Sequence, residues 1–92
     1  TAFIWRDQKF SFTLIAIFDP TVQDWAEQSR EWAFGFRAAM EPFMSGGAYA
    51  NYVQADLPDF GAAYYGDHYQ RLRHIKATYD PTHTFRFPQD LR

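Results

Sequence analysis

Apolar and polar positions alternate in two different rhythms along this chain. From Lys9 to Phe18 the residues are mostly aromatic or β-branched, and Asp19 and Pro20 bound the run. That composition predicts a strand. Period-two alternation sets Phe10, Phe12, Leu14, Ala16 and Phe18 on one face and Ser11, Thr13, Ile15 and Ile17 on the other. Both faces are largely apolar beyond Thr13, so such a strand would be covered on both sides. Ala2 to Trp5 reads as a short strand or an extended lead-in.

The rhythm then changes. Asp19, Pro20 and Thr21 offer helix-start chemistry, with Asp24 and Glu27 near the positive end. Val22, Trp25, Ala26, Ser29, Trp32, Ala33, Phe36, Met40 and Phe43 recur at spacings of three and four, which predicts a long helix with one apolar stripe. Pro42 ends it, and Ser45, Gly46 and Gly47 form a break. Core packing explains the Trp and Met stripe better than a cofactor box does. Ala48 to Gln54, with Tyr49, Tyr52 and Val53, predicts a second strand. Tyr65, Tyr69, Leu72, Ile75 and Tyr79 predict a closing helix, properly formed from about Asp67 and stopping at Tyr79 before Asp80 and Pro81. The tail from Thr82 to Arg92 reads as irregular. The expected architecture is therefore an α+β unit of order β-α-β-α, with residues 1–46 as strand and long helix and 47–92 as a second segment.

Composition sharpens this picture. The 92 residues include 10 Phe, 6 Tyr and 3 Trp, and each fully buried ring removes about 150 to 250 Å² from water. A domain this short hides only roughly 60 to 65% of its unfolded surface. Rings in this number point to an exposed patch or to protein that packs against the chain. The net charge is -2, with acids and bases mixed and no basic run, which argues against a nucleic-acid partner. Phe10 to Phe18 is about half the length of a membrane helix. Arg6, Asp7, Gln8 and Lys9 interrupt anything like a secretory signal, and the absence of cysteine removes disulfide and thiolate chemistry from these residues.

No metal site is expected. His68, His74 and His83 are six and nine residues apart, which puts the first two on different helical faces and the third in the tail. No nucleophile elbow or phosphate-binding glycine loop is present, and Gly46 with Gly47 suits a turn.

Two stretches carry a resemblance. Tyr49-Ala50-Asn51-Tyr52, followed by Asp56-Leu57, is similar to the Tyr-x-Asn-Tyr segment of the berberine-bridge-type FAD-linked oxidoreductases. Tyr64-Tyr65-Gly66, Tyr69, Arg71-Leu72, Ile75-Lys76, Tyr79-Asp80-Pro81 and Phe85-Arg86-Phe87-Pro88-Gln89 resemble that family's closing helix and tail. The ordered series runs from about Gly47 to Gln89. It implies the end of a substrate-covering domain, plus a C-terminal helix that returns to an FAD-binding domain lying outside these residues, as would any residues that attach FAD covalently.

The resemblance implies oxidation of an alcohol, sugars included, or of an amine carbon, with hydride passing to FAD and usually O2 as acceptor. In several members the tyrosine matching Tyr52 is the base that takes the proton. A phenol with pKa near 10 does this at neutral pH only where its phenolate is stabilised; otherwise Tyr52 is a packed strand aromatic. Tyr49 and Asn51 would share a strand face opposite Tyr52 and touch the flavin, the alternative for Asn51 being an inter-strand or turn hydrogen bond. Some members place a glutamate base near the start of the strand matching Phe10 to Phe18. Here Ser11 and Thr13 stand on that face; neither is a carboxylate, so they are candidates for substrate binding and the base falls to Tyr52. His68 departs from the family's more frequent Asn and suits a helix cap or packing. Expected partners are the FAD-binding portion, a small-molecule substrate and O2, with neither nucleic acid nor membrane. The competing reading is a self-contained ferredoxin-like α+β module that binds or dimerises without flavin.

Overall fold

The computed structural model describes residues 1–91. They form two compact units: Gln8–Ser45 is one, and Thr1–Asp7 joins the stretch from Gly46 onward to make the other. Three α-helices carry the regular structure: α1 (Trp25–Met40), α2 (Phe60–Tyr65) and α3 (Tyr69–Tyr79). Short 3-10 turns at Glu41–Phe43 and Gly66–His68 follow α1 and join α2 to α3.

The β-α-β-α expectation is wrong: no strand forms among the described residues. Lys9 to Phe18 has the side chains of a strand but no regular structure. A strand exists only where a second backbone takes up its N–H and C=O groups, and no second extended segment pairs with this one among the described residues. Ala48 to Gln54 is likewise not a strand. It turns at Ala50 and Asn51, with the Tyr52 N–H donating to the Tyr49 carbonyl at 2.9 Å. The ferredoxin-like alternative loses its sheet on the same finding.

In the unit Gln8–Ser45, the Asp-Pro-Thr sequence makes a turn ahead of the helix. Asp19 Oδ1 accepts from the Thr21 N–H at 2.9 Å and from its hydroxyl at 2.7 Å. These bonds hold the Asp19 carboxyl below its usual pKa. Asp24 then takes the left-handed conformation, φ 61°, without a side-chain cap, and α1 begins only at Trp25. At its far end the Glu41 N–H still reaches the Arg37 carbonyl, after which Pro42 closes the element. The helical rhythm was read correctly, whereas the burial it implied is absent: no residue of α1 is buried. Phe12 stacks on Phe36 at 5.9 Å and Trp32 meets Phe36 at 5.7 Å, yet Phe10, Ile17 and Phe43 are each more than 80% exposed.

The other unit holds the buried side chains. Asp59 caps α2 by accepting from the Ala62 N–H at 3.0 Å. Trp5 lies against it, its indole N–H donating to the Ala63 carbonyl at 2.8 Å. Gly47 passes so close beneath that ring that a Cβ there would stand 2.6 Å from it. Gly66 turns the chain between α2 and α3 at φ 47°, where a Cβ would also strike Ile4. Phe60, Tyr64, Tyr65 and Tyr69 pack ring to ring along α2 and the start of α3. Ala63 and Tyr64 are the buried apolar residues.

α3 ends at Tyr79, where the sequence placed its end. Asp80 then fastens the tail, accepting from the Thr84 N–H at 2.7 Å, the Phe85 N–H at 3.1 Å and the Lys76 ammonium. The tail is irregular through Leu91, and Arg92 lies outside the described residues. The chain exposes 7740 Å², against about 5,500 Å² for a folded monomer of its mass. Its ring-rich composition is thus left largely uncovered, with Phe10, Phe43, Tyr52, Tyr79 and Phe85 each more than 60% exposed.

Candidate functional site

The Tyr-x-Asn-Tyr sequence folds as a single turn, and its three functional candidates meet there. Tyr49 and Tyr52 lie edge to face with ring centroids 5.5 Å apart, and Phe3 meets Tyr49 in the same manner at 5.6 Å. The Asn51 side-chain amide donates to the Tyr49 hydroxyl at 2.9 Å. In a strand Tyr52 would have pointed away from the other two; the turn brings all three together. Tyr49 is 42% and Tyr52 67% exposed.

Buried partners hold this turn at both ends. The Ala48 N–H donates to the Ala63 carbonyl at 2.8 Å, and the Gln54 N–H donates to the Tyr64 hydroxyl at 2.9 Å. Sequence reasoning assigned no role to Trp5, Gln54, Tyr64 or Gln89, although Tyr64 and Gln89 stand within the family-like series. The signal was there as aromatic and amide residues; what each bonds to is long-range, and spacing does not reveal it.

Ser11 and Thr13 lie in the unit Gln8–Ser45, both exposed on the segment without regular structure. An open hollow of about 340 Å³ in that unit is lined by Ile15, Ile17, Trp25 and Trp32 among others. Another of about 470 Å³, in the second unit, is lined by Tyr65, Lys76, Arg86 and Asp90 among others. Neither hollow is lined by the five candidates. Burial, with Tyr64 and Tyr69 close by, pushes the Tyr65 hydroxyl above its usual pKa and makes it harder to ionise. Asp80 is held at about 2, chiefly by its hydrogen bond from Lys76; burial opposes this, and the Thr84 and Phe85 amides reinforce it. Among the described residues no group of three or more His, Cys, Asp or Glu could hold a metal ion, and no helix is long and apolar enough to cross a membrane.

Residues 48–92 match the family described as berberine and berberine like. The chain belongs to that family, as its Tyr-x-Asn-Tyr and closing-helix residues implied. It is 35% identical to the uncharacterized FAD-linked oxidoreductase YvdP of Bacillus subtilis (strain 168), over 99% of this chain and 20% of the relative. It is 34% identical to the uncharacterized FAD-linked oxidoreductase YgaK of the same organism, over 70% of this chain and 14% of that protein. To the flavin-dependent oxygenase ucdF of Aspergillus ustus it is 43% identical, over 53% of this chain and 9% of that protein. The chain therefore spans a fifth or less of the length of these curated relatives. No solved structure matches it significantly.

Proposed function

We propose that the full-length protein is an FAD-dependent oxidoreductase that oxidises an alcohol, sugars included, or an amine carbon, usually with O2 as final acceptor, and that Tyr52 is its base. The observation that carries this reading is the placement of Tyr52. In a chain of this family it is 67% exposed, on a turn tied at both ends to α2. Exposure by itself is shared with Tyr79, at 85%; what sets Tyr52 apart is its turn, tied to buried residues and placed beside Tyr49 and Asn51.

The residues of the turn suit a flavin. Exposed rings of Phe3, Tyr49 and Tyr52 stand edge to face, and a flat aromatic system can stack on the open face of one of them. The Asn51 amide beside them can donate and accept at a heterocycle's edge. Tyr49 and Asn51 would therefore contact the cofactor, while the remaining polypeptide supplies the FAD-binding portion and any covalent attachment. When bound, FAD supplies the acceptor for the hydride that leaves the substrate carbon.

Tyr52 handles the proton. Its phenolate oxygen takes the hydroxyl or amine proton, so that the substrate departs as a carbonyl or imine once its C–H hydride has gone. Ser11 and Thr13 supply hydroxyls suited to bonding a polar substrate. Tyr52→Phe in the full-length protein is expected to slow flavin reduction about 10²-fold or more. Stopped-flow bleaching of flavin absorbance, with the best alcohol, sugar or amine from a screen, measures this. Near-normal reduction would remove Tyr52 from the chemistry.

A further inference from the structure

Gln54 stands two residues after Tyr52, and side chains hold both of its backbone groups where a strand partner would have done so. Its N–H donates to the Tyr64 hydroxyl at 2.9 Å, and its carbonyl accepts from the Gln89 side-chain amide at 2.8 Å. The Tyr64 hydroxyl in turn donates to Gln89 Oε1 at 3.3 Å. The three bonds close a ring in which every member both gives and receives. Tyr64 is 3% and Gln89 8% exposed, so the ring is shielded from water, where such bonds are stronger and reinforce one another. The circuit also fixes the Gln89 amide: its oxygen faces the phenol and its NH2 faces the Gln54 carbonyl.

The Leu57 N–H also donates to the Gln54 carbonyl at 3.3 Å, a local bond three residues on, whereas Tyr64 and Gln89 tie this end to the rest of the unit. Val53, the residue between Tyr52 and Gln54, is 63% exposed. At the other end Ala48 is bonded to Ala63, the neighbour of Tyr64 on α2. The turn is thus hung between two consecutive buried residues of one helix, with Gln89 of the tail locking the second attachment.

We propose that Tyr64 and Gln89 are positioning residues for Tyr52, fixing the backbone at Gln54 so that the turn presents its phenol in one place. This rests on Tyr52 being the base. A base must hold its oxygen against the substrate proton, and it does so only while the turn stays where it is. Loosening the ring of bonds should let the phenol wander.

The test uses full-length, flavin-loaded protein carrying tyrosine labelled with 13C at Cζ, the Tyr52 signal being assigned by its loss in Tyr52→Phe. In the wild type the Tyr52 signal should be one narrow line. Gln89→Met removes two bonds of the ring at similar volume and adds no charge. It should broaden or split the Tyr52 line and slow flavin reduction about tenfold or more, with flavin content retained. Tyr64→Phe should do the same, and decides the matter where Gln89→Met does not fold. A Tyr52 line and a reduction rate that both stay put in the variants, while Tyr52→Phe slows reduction, overturn the positioning role and leave Tyr52 as base. Near-normal reduction in Tyr52→Phe overturns the base itself, and the positioning role with it.

Discussion

The two units of this chain solve the burial problem differently. Around α2, polar side chains do the closing: Trp5, Tyr64 and Gln89 each bond a backbone group ten or more residues away, Asp80 fastens the tail that follows it, and Tyr64 is buried. Around α1 the rings are as plentiful, but no side chain of that helix is buried and the segment before it holds Phe10 at 89% exposure. A unit closes on itself when its hydrogen bonds are satisfied internally. A unit rich in rings but without such closures has its apolar surface ready for another layer of protein.

Tyr64 and Ile17 put that contrast to its largest test. Tyr64→Ala removes a buried ring and strands the Gln54 N–H, so the full-length protein should lose about 3 to 5 kcal/mol. Ile17, 81% exposed within this chain, would lose under about 0.5 kcal/mol on change to Ala if that face stayed wet. If the remaining polypeptide covers it, the same change costs about 2 to 5 kcal/mol. Urea unfolding of the two full-length variants measures both. A large loss for Ile17→Ala shows the α1 unit finished by protein outside this chain, and a small one shows the opposite.

Acid should act on the self-closed unit through Asp80. Its folded pKa of about 2 lies below the ordinary 3.8, so the stabilisation it gives is complete above about pH 4 and is lost as pH falls toward 2. Asp80→Asn should lack that part of the acid sensitivity, and should speed amide exchange at Thr84 and Phe85 at neutral pH. An acid-unfolding profile unchanged by Asp80→Asn would remove the tail fastening from the account.

How far the sequence disclosed these two units follows from the range of the forces. α1 and α3 were legible because period and punctuation are local: Trp25, Ser29 and Met40 mark α1, while Tyr79 before Asp80-Pro81 marks the end of α3. The helix α2 was not foreseen, because Gly61 and Gly66 read as breaks there. The strands were misread because β-branched and aromatic runs state only that a segment suits a pleated, covered surface. Whether a partner backbone lies alongside is decided elsewhere. Tyr49, Asn51 and Tyr52 were found through the family resemblance, and the turn that joins them was not foreseen. The Gln54, Tyr64 and Gln89 ring was hidden for the same reason as the strands, since its members are ten to thirty-five residues apart.

The smallest expected effect is at the start of α1. Asp19 and Thr21 spend their capping groups on a turn, and the chain enters the helix through Asp24 at φ 61° with no side-chain cap. A non-glycine residue there gives up conformational energy that glycine does not, and the carboxylate returns no capping bond to offset it. Asp24→Gly should therefore stabilise the full-length protein by about 0.5 kcal/mol, read as a small rise in the urea midpoint. A loss of stability instead would show that the negative charge near the helix N-terminus outweighs the strained backbone.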